Sequence, residues 1–516
     1  MSAANSQAQG VPLAGGAKAM VAMALALGTF MQVLDTTIAN VSIPTIAGNL
    51  GVAPDQGTWV ITSFAVANGI SVPLTGWLMM RYGVVRTFVV SVLLFTLASL
   101  LCGLSWSLES LIAFRVMQGA VSGPMIPGSQ ALLLALFPPE KKGTALAIWS
   151  MTTLVAPICG PLLGGWISDN YSWPWIFLIN VPVGIVCAAI CWGGLKNSET
   201  PTRKLPVDGI GFALLVVWIG ALQIVLDTGK DADWFASPHI IALSIVAVVG
   251  LIAFLIWELN EEHPIIDLSL FRNRNVVFGT IALCIGYAIF FGNTVLLPLW
   301  MQTQLSYTAT WAGMVAAPSG VIAVMISPMV GKLIGKVDAR AIATFSFVAF
   351  GVSYFMRAGY TADADFWSFT YPLLVQGLGM GTFFVAMITI SLHGVAPEKI
   401  PSASGLTNFL RITAGSFAAS ITTTFWDRHK ALHQTHLAEA STAYDPVMQQ
   451  ALQQMSAQGL THEQSIALMN HTLSGQAYLL SALDYFWISA WMCLALIAIV
   501  WMTRRPMGGA AVAAAD

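Results

Sequence analysis

The chain alternates between long apolar runs and short polar ones. Mostly apolar stretches lie near 19–40, 57–80, 84–104, 109–136, 142–168, 174–194, 207–227, 238–257, 275–298, 309–333, 341–358, 367–395, 402–426 and 481–503. Each is about as long as the 20 or so residues a helix needs to cross a hydrocarbon layer. Only helices and closed barrels satisfy every backbone group in such a layer, and these runs are too long for barrel strands. The pattern predicts an all-α integral membrane protein with fourteen spans.

The basic residues give the spans a sense of direction. Cytoplasmic loops of membrane proteins are enriched in Lys and Arg. With fourteen spans, one side collects Lys18, Arg81, Arg86, Lys141, Lys142, Lys196, Arg203, Lys204, Arg272, Arg274, Lys332, Lys336, Arg340, Lys399, Arg504 and Arg505. The other side holds Lys230, Arg357, Arg428 and Lys430, and Arg115 and Arg411 fall inside spans. The bias predicts both termini in the cytoplasm. A span miscounted by one would scatter the charges over both faces.

Composition agrees. Charged residues are 9% of the 516, against about 25% for a soluble domain, so lipid must solvate much of the surface. A net charge of −2 gives no reason to expect a nucleic-acid partner. The six cysteines all lie in apolar runs and read as packing residues.

The chain also resembles itself. Pro139-Glu140-Lys141 returns as Pro397-Glu398-Lys399, Gln118-Gly119 as Gln376-Gly377, Gly76 as Gly331, Thr58-Trp59 as Thr310-Trp311, and Pro44 as Pro298. The offsets stay between 252 and 258. The repeat pairs the first six spans with the last six. It divides the chain into a tail (1–18), a six-helix bundle (19–194), a linker with two inserted spans (195–274), a second six-helix bundle (275–503) and a tail (504–516). A long polar outer loop occupies 427–480, with helical composition near 446–472. Two repeated bundles with a site between them are the architecture of alternating-access carriers.

Charge inside a span is costly and marks function by default. Asp35 lies in the first span, where burial favours a carboxyl's neutral form. An acid that takes up its proton nearer neutral pH could load it on one side and release it on the other. Arg115, in the fourth span, keeps its charge and needs an acceptor, for which Asp35 is the candidate. Arg411 is a second intramembrane cation with no partner evident from the sequence. Glu109 and Asp484 read as interfacial. The fifth span carries Pro157, Gly160, Pro161, Gly164 and Gly165, suited to close approach and a bend at a moving interface.

Several chemistries find no motif. There is no G-x-x-x-x-G-K-[ST] loop for ATP, no H-E-x-x-H and no nucleophile–base pattern, so the expectation is a carrier and not an enzyme. No cofactor is expected, a proton gradient serving as the energy source. His429, His433 and His436 share a helix face, a spacing that could bind a metal, but in the polar outer loop they read as solvated, and no metal is expected.

These segments resemble the major facilitator superfamily, in its fourteen-span drug:proton antiporter branch. The loop from Gly76 to Arg86, with Gly76, Arg81, Gly83 and Arg86, resembles the superfamily's gating-loop signature, although Met80 stands where an aspartate is usual. Segment 109–123 resembles the fourth-span signature with its buried arginine. Segment 147–165 resembles the antiporter signature, with Ala147 and Ala156 in place of two glycines. Residues 34–44 and 173–184 resemble the first- and sixth-span signatures of the branch. The likeness is strongest to EmrB-type multidrug exporters and runs nearly end to end. It implies a major-facilitator fold of two six-helix bundles plus two inserted helices. It also implies proton-driven export of hydrophobic toxic compounds across the inner membrane, with a periplasmic adaptor protein and an outer-membrane channel as partners. The alternative is a dedicated exporter of one metabolite, such as a siderophore or fatty acid, on the same fold.

Overall fold

The computed structural model describes residues 15–505 apart from 53, 58, 139, 140, 204, 205, 207, 231, 263, 335 and 441–445. The outermost terminal residues and the Pro139-Glu140 repeat match lie outside that set, as does the side chain of Pro161.

The first bundle comprises α1 (Gly15–Leu50), α2 (Pro54–Gly57), α3 (Trp59–Ser71), α4 (Thr75–Tyr82), α5 (Val84–Gly103), α6 (Leu108–Ser122), α7 (Met125–Leu136), α8 (Lys142–Asn170), α9 (Trp175–Leu178) and α10 (Asn180–Leu195). The inserted pair is α11 (Gly209–Thr228) and α12 (Pro238–Asn260). The second bundle comprises α13 (Arg274–Gln304), α14 (Ala309–Leu333), α15 (Ala339–Arg357), α16 (Phe366–Ser391), α17 (Ile400–Ala440), α18 (Pro446–Ala457) and α19 (His462–Trp501).

Among the described residues, eleven helical passages are long and apolar enough to cross a membrane, and α3 with α4, bent by 55°, makes a twelfth. Two further helices, α8 and α17, occupy the fifth and thirteenth expected spans. Of the two, α17 is the less apolar, and it packs between the halves on α4 and α7; α8 is as apolar as the other spans and lies between the halves on α14 and α16. The inserted α12 is the opposite case. It turns Ile245, Val248, Val249, Ile252 and Ile256 outward, a face that hydrocarbon would solvate. Its neighbour α11 bridges the two bundles, touching α3 on one side and α17 on the other.

The contacts repeat with the sequence. A Cβ added to Gly119 would lie 2.5 Å from the Phe64 carbonyl oxygen, and one added to Gly377 would lie 2.5 Å from that of Ser319. These are the same approach of helices, displaced by the offset already seen in the sequence. The contact between bundles repeats as well. Gly76 meets Ser402, and Gly331 meets Gly143 so closely that an added Cβ would lie 2.7 Å from the Gly143 carbonyl oxygen. Both contacts lie at the end of the molecule that carries the described termini.

The region 427–480 departs from its expectation as a loop. Helix α17 continues to Ala440 and α19 begins at His462, with α18 between them; residues 441–445 lie outside the described set. The run after Trp426 is polar, but Lys, Ala, Leu, Gln and Glu are good helix formers, and polarity ended the span without ending the helix.

Candidate functional site: a buried carboxylate network

Four helices of the first bundle converge on Asp35. It projects from the middle of α1 and is fully buried. Arg115 and Gln118, three residues apart on α6, share the face turned toward it. Ser99 comes from α5, and Asn180 opens α10. The Arg115 Nη1 donates to Asp35 Oδ2 at 2.6 Å. Gln118 Nε2 and Asn180 Nδ2 donate to Asp35 Oδ1 at 3.0 and 2.9 Å.

A second ring of contacts holds these donors. Arg115 Nη1 also donates to Gln118 Oε1 at 2.7 Å, and its Nε donates to the Val60 carbonyl at 3.0 Å. Ser99 Oγ accepts from Gln118 and Asn180 and donates to the Phe177 carbonyl. The guanidinium lies over the Phe64 ring at 4.3 Å. Each partner of the carboxyl is a donor, so this arrangement is complementary to the ionised form. A protonated Asp35 would set an O–H against one of those donors and lose a bond. Proton uptake here therefore requires side chains to move.

The glycine-rich fifth span packs beside this network. A Cβ on Gly160 would lie 2.1 Å from Thr37 Oγ1, and one on Gly164 would lie 2.9 Å from Ile38 atoms. Thr37 and Ile38 follow Asp35 by two and three residues, so these glycines bring α8 against the turn of α1 that carries the acid. Gly165 points into open space, and Pro157 is half-buried.

The gating-loop residues lie elsewhere, at the terminal end. Gly76 packs on Ser402, and Arg81 lies over the Trp77 and Tyr82 rings. Gly83 has φ +91°, which a side chain rarely adopts. Met80, in the place of the usual aspartate, receives the Arg203 N–H on its carbonyl. A different acid works nearby: Glu199 accepts from the Val85 and Arg86 backbone N–H groups at 3.0 and 2.9 Å, capping α5. The side chain of Arg86 is exposed.

Arg411 is buried at the junction of the halves. Its Nη2 donates to Asn408 Oδ1 at 3.0 Å, and its charge lies 4.6 Å from the Tyr287 ring centroid. Asn408 in turn donates to Gln130 of the first bundle at 2.9 Å. The partner unreadable in the sequence is thus an amide and an aromatic face.

Arg357 requires a correction. Counted among the outer-loop cations, it is in fact 1% exposed. It closes α15, and its Nη2 donates to Gln376 Oε1. An arginine at the boundary of an apolar run looks like a loop residue, and only the packing of α16 and α19 around it turns it inward. Gln118, Asn180 and Ser99 carried no role in the sequence reading either. Gln118 stood in the repeat and Asn180 in the sixth-span signature, but uncharged polar residues are common in spans.

Comparison with known proteins places this geometry in a family. The Major Facilitator Superfamily profile matches residues 25–419. The chain is 48% identical over 499 residues to the multidrug export protein EmrB of Escherichia coli K12, covering 96% of this chain and 97% of that one. It is 46% identical over 495 residues to the fatty acid resistance protein FarB of Neisseria gonorrhoeae, covering 96% and 98%. In fold it is similar to the human organic anion transporter MFSD10 (TETRAN), with a TM-score of 0.58 at 12% identity over 94% of this chain and 99% of that one. With its two packed helical bundles and a profile match over most of its length, the chain belongs to the major facilitator superfamily and, within it, to the EmrB-type export proteins.

Proposed function

We propose that the protein is a proton-driven multidrug exporter that moves hydrophobic toxic compounds out of the cell in exchange for protons. The observation that carries this reading is the fully buried Asp35, held by Arg115, Gln118 and Asn180. A carboxylate in such a place is costly unless it is paired. When a proton neutralises it, the pairing energy with Arg115 is lost while Arg115 keeps the Gln118 oxygen and the Val60 carbonyl. The balance of forces between α1 and α6 then changes. Helix α8 packs on α1 through Gly160 and on the second bundle through α14, so it is the route by which that change reaches the other half.

The Lys and Arg bias supports cytoplasmic termini in the inner membrane. With that orientation, the contacts Gly76–Ser402 and Gly143–Gly331 close the cytoplasmic end. At the far ends of the same spans, Trp59 and Trp311 are 42% and 52% exposed. Together these support an outward-facing state, in which Asp35 would receive its proton from the periplasmic side. The helical extension beyond Trp426 is the surface assigned to a periplasmic adaptor protein, which would connect to an outer-membrane channel. Deleting 430–475 should abolish co-purification with that adaptor.

The test is transport in proteoliposomes under an imposed pH gradient. Asp35→Asn should bring drug accumulation down to the level of protein-free vesicles while leaving the protein folded. Full proton-driven transport by this variant would sink the role of Asp35. The likeness to FarB supports a second reading, a dedicated exporter of fatty acids. Expression in cells stripped of other pumps separates the two: protection against several unrelated compounds supports the first, and against a fatty acid alone the second.

A further inference from the structure

The long helices α17 and α19 run antiparallel, and beyond the network just described they bring together a set of groups that the transport reading does not use. His429 and His433 are four residues apart on α17 and so share one face. Asp484 stands opposite on α19. His433 Nε2 lies 2.7 Å and His429 Nδ1 3.3 Å from the same oxygen, Asp484 Oδ2. The three ligand atoms all lie within 4.8 Å of one another. His436 is exposed and takes no part.

We propose that His429, His433 and Asp484 form a site for a borderline divalent cation, with Zn²⁺ the best match. Zinc binds imidazole nitrogen and carboxylate oxygen at about 2.0–2.2 Å in tetrahedral geometry, which sets the ligand atoms about 3.3 Å apart. Of the separations from Oδ2, that of His429 already has this value and that of His433 is 2.7 Å, so small side-chain rotations suffice. Two nitrogens and one oxygen favour Zn²⁺ over Mg²⁺ or Ca²⁺, which prefer oxygen alone. Three protein ligands leave a fourth position for water.

The surroundings hold the ligands in place. Phe425 stacks on the His429 ring, with centroids 3.8 Å apart and planes 21° from parallel. Phe425 is itself held edge-on by Tyr485, whose hydroxyl pairs with Thr422 at 2.6 Å. The flanking Lys430 turns away to the Tyr478 ring. The site would tie α17 to α19 next to the Thr422–Tyr485 pair.

The experiment uses the full chain, purified in detergent without a polyhistidine tag, stripped with a chelator and equilibrated with Zn²⁺ alone. The expected result is one Zn²⁺ per chain and a rise in thermal midpoint on adding Zn²⁺. His433→Gln and Asp484→Asn should each weaken binding at least about tenfold and abolish the rise. His436→Ala should bind as the parent does. Metal-free midpoints and elution profiles identify any variant that fails to fold, and His429→Gln then takes its place. No bound Zn²⁺ in the parent chain, or parent-like affinity in the ligand variants, overturns the site.

Discussion

The two bundles share a plan but differ in electrostatics. In the first, Asp35, Arg115, Gln118, Asn180 and Ser99 form a closed set in which the acid neutralises the base. In the second, Asn293 on α13 lies one turn beyond the position that the offset of 254 in that span gives for Asp35, and the offset of 258 puts Gln376 where Gln118 stands. Asn293 Nδ2 donates to Ser489 Oγ at 3.0 Å, much as the first bundle ties α1 to α10. The cation comes from a different helix: Arg357 on α15 rather than Arg115 on α6. Among the described residues Arg357 has no ion pair, and its Nε, together with Asn293 Oδ1 and the Tyr354 and Tyr360 hydroxyls, is buried without a hydrogen-bond partner. One proton would change the charge of the first network. The second has no acid to accept one and keeps its charge. On the proposed proton exchange at Asp35, the duplicated fold would place the exchanging element in a single half, with the other as its fixed counterpart.

The sharpest way to break this comparison is to remove each cation. Arg115→Ala leaves Asp35 buried and unpaired, and should cost about 3–5 kcal/mol of stability. Replacing both partners, as Asp35→Asn with Arg115→Gln, should recover most of that loss. Arg357→Met removes a buried charge that no acid compensates, and should leave stability unchanged or raise it by about 1–4 kcal/mol. Thermal melts in detergent decide the matter. A loss in Arg357→Met as large as in Arg115→Ala would mean that the second network is balanced after all.

The next contrast lies within α8. Gly160 and Gly165 are neighbouring glycines of the same signature, but only Gly160 faces α1. Gly160→Val would push a side chain into Thr37 and should cost about 1–3 kcal/mol through overpacking. It should also impair transport, because the turn it displaces carries Asp35. Gly165→Ala meets nothing within 4 Å and should transport like the parent. Drug accumulation in vesicles, set against melting temperature, measures both. A silent Gly160→Val would remove α8 as the route between the acid and the second half.

What the sequence could and could not reveal follows from the range of each interaction. The spans were readable because hydropathy is local. The lone acid and lone base of one bundle stood out because charge is rare in apolar runs, and the structure joins them. Ser99 and Asn180 did not stand out, since a serine or asparagine in a span has many ordinary uses. Arg357 was misplaced because its position at the end of a run resembles that of a solvated loop cation. Asp484 gave no sign of its neighbours His429 and His433, which lie more than fifty residues away along the chain. Interactions within one or two helical turns left a pattern, whereas pairings made by packing did not, except where both partners were charges set in apolar runs.

The start of the third helix in each bundle shows that rule at its smallest scale. In the second bundle Asp338 caps α15 from within, its Oδ1 accepting from the Arg340 N–H at 3.0 Å. The first bundle has Gly83 at that position and takes its cap from Glu199, more than a hundred residues away. Burial alone would push Asp338 up, but the hydrogen bonds from the Arg340 side chain and backbone, with the charges of Arg340 and Arg505, hold it below the ordinary aspartate range. A carboxyl lowered on folding contributes stability above its unfolded value, and that contribution is lost as pH falls through the folded one. Asp338→Ala should therefore cost about 1 kcal/mol near neutral pH. It should also flatten the fall in melting temperature below about pH 4. Glu199→Ala should cost a similar amount, with a further effect that Asp338→Ala lacks. Because Glu199 ties the segment after α10 to the start of α5, its loss should expose residues 196–203 to protease, whereas Asp338→Ala should leave that segment's cleavage rate unchanged. Equal cleavage of that segment in both variants would show that the imported cap does no more than the local one.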